Sequence, residues 1–156
     1  ELIAQGLVSY QASGMRQNIY EQDGYRIYAD CYNASPDAME ATLSVLGGMA
    51  EDGRRFAVLG SMLELGDYAE EGHRRAGRAA AQYADALYAY GPDAAAMVAG
   101  AREKGMEHAY AFDDQTALVA ALREDAKKGD ALLFKGSRGM RMERALAMFL
   151  GEEVEA

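Results

Sequence analysis

At 156 residues, half of them apolar, the chain has the size of one ordinary domain and enough length to build a core without covalent staples. Its formal net charge of −9 argues against a sequence-independent grip on nucleic acid or on an anionic membrane. Cys31 is the only cysteine, which excludes an intramolecular disulfide and a Cys-based zinc site, and His73 and His108 lie too far apart for a His-x-x-x-His pair.

Leu2 to Leu7 reads as the end of a helix and Ser9 to Gly14 as a polar link. Next, Gln17 to Gln22 and Tyr25 to Asp30 flank Asp23-Gly24, a hairpin signal, so an antiparallel pair is expected near the N-terminus. Ser35-Pro36 opens a helix to about Met49, with Met39, Leu43 and Leu46 at helical spacing. Arg55 to Gly60 is an apolar run and hence a buried strand; a loop from Ser61 to Tyr68 and an Ala-rich helix from Ala69 to Tyr83 follow. Ala86 to Tyr90 is a strand, Pro92 to about Lys104 a helix, and His108 to Phe112 a short strand. Asp113-Asp114 caps a helix carrying Leu118 and Leu122, Ala131 to Lys135 is another strand, and a last helix presents Met142, Ala145, Leu146 and Phe149 on one face. Strands alternating with helices predict a Rossmann-like, doubly wound α/β domain with a mostly parallel sheet and an antiparallel hairpin strand at its N-terminal side.

In such a sheet the loops after the strands converge on one edge, where ligands bind. Asp30, at a strand end, fits two hydroxyl protons such as those of a ribose, or equally a helix cap. Asn33 reads either as a contact to a base edge or as a local Asx turn. Ser35 reads as a cap or a ligand contact, and Cys31 and Tyr32 read as packing residues. Lys135-Gly-Ser137-Arg138 combines close backbone approach with positive charge and fits a carboxylate or phosphate; the competing reading is a solvated basic turn. Glu64 either orients a ligand or holds its loop, and His73, among Glu70, Glu71, Arg74 and Arg75, is expected on a solvated face. The chain lacks G-x-x-x-x-G-K-[ST], any metal-ligand cluster and any Ser–His–Asp order, so no catalytic residue and no metal ligand is expected in it. No stretch of about 20 apolar residues suggests a membrane span. The start shows no signal peptide and no initiating Met, so a cytoplasmic piece of a longer chain is expected.

Gly14-Met-Arg-Gln17, Asp30-Cys-Tyr-Asn-Ala-Ser-Pro-Asp37, Leu59-Gly-Ser-Met-Leu-Glu-Leu-Gly66 with His73 downstream, and Phe134-Lys-Gly-Ser-Arg138 run in the order of the Mur ligase C-terminal domain. The chain resembles that family over nearly its whole length, with Ser35 where the family usually has Asn and Ser61 where it commonly has Asp. The branch it is most similar to joins D-alanyl-D-alanine to UDP-N-acetylmuramoyl-tripeptide in peptidoglycan synthesis, through an acyl phosphate made with ATP. The resemblance implies an N-terminal UDP-binding domain and a central ATPase domain in the same chain, the latter holding Mg and most phosphate contacts. It implies that residues 1–12 are the tail of the preceding domain, that 13–150 are the C-terminal domain, and that 151–156 are an acidic tail. By the same resemblance Asp30 holds the ATP ribose, Arg16 approaches ribose or phosphates, and Asn33 and Ser35 line the nucleotide side. Lys135, Ser137 and Arg138 then face the incoming dipeptide and its carboxylate, and the isolated domain is inactive. Two other readings remain open: a stand-alone nucleotide- or small-ligand-binding module, and another ligase of the Mur or folylpolyglutamate type.

Overall fold

The computed structural model describes residues 18–154. Strands β1 (Asn18–Gln22) and β2 (Tyr25–Asp30) form the expected hairpin, antiparallel with Gln22 opposite Tyr25. Asp23 and Gly24 both adopt positive φ, 55° and 87°, the geometry of a two-residue turn whose twist matches the strands. Helix α1 (Pro36–Gly47) starts where the sequence places it, because Ser35 is extended and its Oγ accepts the Ala38 N–H at 3.1 Å. It stops at Gly47, two residues before the expected end.

β3 (Arg55–Gly60), α2 (Ala69–Tyr83) and β4 (Ala86–Tyr90) match their predicted bounds, and a single 3₁₀ turn at Gly66–Tyr68 leads into α2. Helix α3 (Ala94–Glu103) begins two residues after Pro92, which lies in the preceding turn, and β5 pairs only over Ala109–Phe112. α4 (Gln115–Asp125) is capped by Asp114, whose carboxylate accepts from Thr116 N and Ala117 N. β6 (Ala131–Lys135) and α5 (Met142–Phe149) complete the fold. After α5, Gly151 takes φ 76°, so that Glu152 N–H reaches Ala147 O and Gly151 N–H reaches Met148 O. This paired closure ends the helix. It also holds the first residues of the acidic tail; Gln22 Nε2 donates to the Glu152 carboxylate at 2.9 Å.

The sheet has the order β1-β2-β6-β3-β4-β5, all pairs parallel except β1 with β2. Alternate side chains of each strand face opposite layers. Leu59, Leu87 and Leu133 pack with Met39, Leu43 and Leu46 of α1, Ala76 and Ala80 of α2, and Met97 of α3. Val58, Leu132 and Phe134 pack on the other face with Leu118 and Leu122 of α4 and Leu146 and Phe149 of α5. Within the first layer, α2 and α3 touch backbone to backbone. A Cβ added at Gly77 would lie 1.9 Å from Met97 O, and one at Gly100 would lie 2.0 Å from Arg74 O.

The chain therefore leaves β2 and β3 toward one layer and leaves β6, which sits between them, toward the other. Loops that depart to opposite faces open a crevice at the carboxyl ends of neighbouring strands. Here that crevice lies over Asp30, Lys135 and Gly60.

Candidate functional site at the carboxyl ends of the central strands

Asp30 and Lys135 are the last residues of adjacent parallel strands and stand side by side in register. Both are buried, at 5% and 1% exposure, so neither charge is screened by water. Lys135 Nζ donates to Asp30 Oδ2 at 2.6 Å and to the Asn33 carbonyl at 2.9 Å. Two of the three ammonium donors are thus taken, and the pair fixes the β2–α1 loop against β6. The sequence treats these two residues as members of separate sites, but the fold makes them one unit. The buried ammonium does not stand as an open positive charge beside Arg138.

Cys31 follows Asp30 and packs inward, its Sγ 3.6 Å from Phe134 O. Burial, and then the nearby charges of Glu143 and Asp30, push its thiol up to about 12, so it is an inert packing residue, as expected. Tyr32 lies under the Arg138 guanidinium, 5.5 Å from carbon to ring centroid, which links the β2–α1 loop to the β6–α5 loop. Asn33, Ser35 and Arg138 are exposed at the lip. Ser35 Oγ accepts the α1 cap bond, which leaves its own proton to donate. Arg16 lies outside the described residues, as do residues 1–12.

The third loop joins through Ser137. Its N–H donates to Ser61 O at 3.2 Å, and its Oγ accepts Leu63 N–H at 2.8 Å. Ser61 is fully buried; its Oγ accepts Asp93 N–H at 3.0 Å and donates to Tyr90 O at 3.2 Å. That side chain therefore serves as a neutral stitch between the ends of β3 and β4. Glu64 is exposed with φ 69°, a left-handed conformation uncommon for a residue with a Cβ.

His73 corrects an expectation. Instead of lying on a solvated face it is 0% exposed, because it shares the inner stripe of α2 with Ala76 and Ala80, while the charged residues around it in sequence point outward. Its Nδ1 faces Ala69 O at 2.7 Å and its Nε2 faces Met62 N–H at 2.8 Å. A carbonyl only accepts and an amide N–H only donates, so the ring is the neutral Nδ1–H tautomer. Gln115, which sequence reasoning passed over, is a further organiser. Its Nε2 donates to Met140 O at 3.0 Å and to Arg141 O at 3.1 Å, holding the turn where Arg141 takes φ 54°. No local pattern marks it, since its partners lie 25 and 26 residues away.

The site offers a buried carboxylate–ammonium pair, exposed amide and hydroxyl groups on one side, and a hydroxyl with a guanidinium on the other. It can orient polar reactants. No group of three or more His, Cys, Asp and Glu able to hold a metal ion occurs among the described residues. A separate cavity of about 350 Å³, lined by Glu21, Arg26, Glu51, Asp52 and Lys128, lies at the opposite end of the strands. The ligand crevice of open parallel sheets lies at the carboxyl ends of the strands, away from this cavity.

Comparison with known proteins supplies the context. Residues 15–138 match the family described as "Mur ligase, glutamate ligase domain". A UDP-N-acetylmuramoyl-tripeptide–D-alanyl-D-alanine ligase of Bacillus subtilis is 36% identical over 143 residues, which are 90% of this chain and 31% of that protein. The ligase of the same name from Treponema pallidum is 39% identical over 119 residues, or 74% of this chain and 25% of its own length. Among solved structures, a MurF ligase from Thermotoga maritima in complex with ADP superposes with a TM-score of 0.77 and 33% identity, covering 92% of this chain and 32% of that one. The chain spans about a third or less of the length of these relatives.

Proposed function

Because this chain belongs to the Mur ligase family, we propose that it is the C-terminal domain of an ATP-dependent ligase that adds D-alanyl-D-alanine to UDP-N-acetylmuramoyl-tripeptide in the cytoplasm. The observation that carries this reading is the crevice itself. The Asp30–Lys135 pair, Asn33 and Ser35 stand on one side and Ser137 with Arg138 on the other, on a domain related to ligases of that name. Residues 1–12 then lead in from a central ATPase domain, preceded by an N-terminal UDP-binding domain, and 151–156 form a tail.

In this reading ATP phosphorylates the terminal carboxylate of the tripeptide on the central domain. The dipeptide amine then attacks the acyl phosphate, forming the amide and releasing phosphate. Mg would be held by the central domain, where it would neutralise charge on the phosphates. What this chain adds is orientation. Asp30, fixed through Oδ2 by Lys135, presents its remaining acceptor capacity to the ATP ribose hydroxyls. Arg16 approaches the ribose or phosphates, while Asn33 and Ser35 line the nucleotide side. Ser137 donates its free hydroxyl proton, and Arg138 its fork of N–H groups, to the dipeptide carboxylate, and Lys135 supports that side from beneath. With amine and acyl phosphate so held, the bimolecular step becomes effectively unimolecular.

The test is ADP release by the complete enzyme with UDP-N-acetylmuramoyl-tripeptide and a panel of amines. Turnover that requires D-alanyl-D-alanine supports the reading, as does absence of turnover by the 156-residue chain alone. Turnover with glutamate or a diamino acid in place of the dipeptide refutes it.

A further inference from the structure

Consecutive amides of the β3–α2 loop point to opposite sides of the crevice floor. Met62 N–H goes inward to His73 Nε2 at 2.8 Å, and Leu63 N–H goes outward to Ser137 Oγ at 2.8 Å. The two amides belong to successive planar peptide units hinged at the Met62 Cα, and the Met62 side chain is itself buried at 1% exposure, so anchoring the first amide restricts where the second can point. Ser137 returns the contact through its own N–H to Ser61 O at 3.2 Å. Its Oγ, having accepted Leu63 N–H, keeps its own proton free to donate. His73 is anchored in turn, since its Nδ1–H bonds to Ala69 O at 2.7 Å within α2 and leaves the ring no exposure. A side chain so buried has no route to a substrate. Its acceptor is what satisfies Met62 N–H, and an apolar residue in its place leaves that donor orphaned.

We propose that His73 is a positioning residue for the amine-side subsite: it sets the Ser137 hydroxyl through the Met62–Leu63 backbone without touching a reactant. The inference rests on the proposed function, in which Ser137 faces the dipeptide. It commits to a specific atom, the Nε2 lone pair. Glutamine places an amide oxygen near that acceptor, asparagine keeps only a donor toward Ala69 O, and leucine keeps neither.

The experiment is a double-mutant cycle in the complete ligase, combining His73→Leu, His73→Asn and His73→Gln with Ser137→Ala. Steady-state constants for ATP and the dipeptide are read together with amide hydrogen exchange over residues 62–63. His73→Leu and His73→Asn are expected to lower kcat/KM for the dipeptide by about 10- to 100-fold and to leave the KM for ATP within about 2-fold. His73→Gln restores most of the loss, exchange at 62–63 accelerates only in the Leu and Asn variants, and Ser137→Ala then adds little to either. Multiplicative effects of His73 and Ser137 overturn the inference, as does an equal rise in the KM for ATP or a Gln variant as impaired as Leu. If His73→Leu does not fold, the Asn and Gln pair decides alone. Should the wild-type enzyme prefer another amine, the proposed function fails, and the same cycle run with that amine still tests His73.

Discussion

Replacing Asp30 by Ala leaves the Lys135 ammonium, 1% exposed, with a single carbonyl partner and no counter-charge. Breaking a buried pair from one side costs about 3–5 kcal/mol, because the survivor stays desolvated. At about 2–4 °C per kcal/mol for a chain of this size, the melting temperature falls by roughly 6–20 °C. Lys135→Met makes the reciprocal defect and is expected to cost a similar amount. The double variant Asp30→Ala/Lys135→Met removes both charges and keeps an unbranched stem in the buried position, so it is expected within about 2 kcal/mol of wild type. Urea unfolding of the 156-residue chain, followed by circular dichroism, gives all four corners of the cycle. Single losses below about 1 kcal/mol, or a double loss equal to the sum of the singles, would refute the claim that this pair is a coupled buried unit. The cycle also separates stability from ligand binding when Asp30 variants are assayed for activity.

In the complete ligase, Asp30→Ala assayed well below its melting temperature raises chiefly the KM for ATP, and Arg138→Ala chiefly that for the dipeptide; unchanged kinetics in both would remove their assigned roles. Gly77→Ala places a methyl group 1.9 Å from Met97 O as built, so α2 and α3 must separate, and the urea midpoint falls by the equivalent of about 1–3 kcal/mol. Hydrogen bonds from the Arg55 guanidinium hold the Asp85 carboxyl below the ordinary carboxylate range. Its contribution is therefore complete above about pH 4 and is lost as pH falls through the lowered value. Asp85→Asn flattens the stability–pH curve below about pH 4, and an unchanged slope counts against the pairing. Cys31, its thiol pushed up to about 12, reacts with a neutral maleimide at pH 8 only once denaturant is present; labelling of the native protein at the unfolded rate contradicts its burial.

Local structure was legible because the stop and start residues are chemically explicit. Asp23-Gly24 turns the hairpin, Ser35-Pro36 opens α1 and Asp114 caps α4, each within a residue or two of its expected place. Strand order was not. Asp30 and Lys135 are 105 residues apart, and no periodicity announces that β6 inserts between β2 and β3. One buried pair therefore read as two separate ligand sites. His73 was misread for the opposite reason. Its neighbours Glu70, Glu71, Arg74 and Arg75 are exposed or half-exposed, and the composition of the segment hid the inward turn at Gly72 and His73. Gln115 carries no signal that a sequence displays, since its function is to fill the carbonyls of a distant turn.

The position of β6 has a consequence for how the molecule comes into being. It is the last strand of the chain to be made, yet it occupies the interior of the sheet, with β1-β2 on one flank and β3-β4-β5 on the other. Until Ala131 to Lys135 emerges from the ribosome, the two flanks have no strand to join them, and the inner edges of β2 and β3 stay unpaired. Closure is therefore a late, long-range event that waits on nearly the whole length of the domain. A nascent chain truncated before Ala131 holds a hairpin and a three-stranded remnant, both aggregation-prone at their open edges. The step that completes the sheet is also the one that brings Lys135 to Asp30, so the crevice cannot assemble before the sheet has closed.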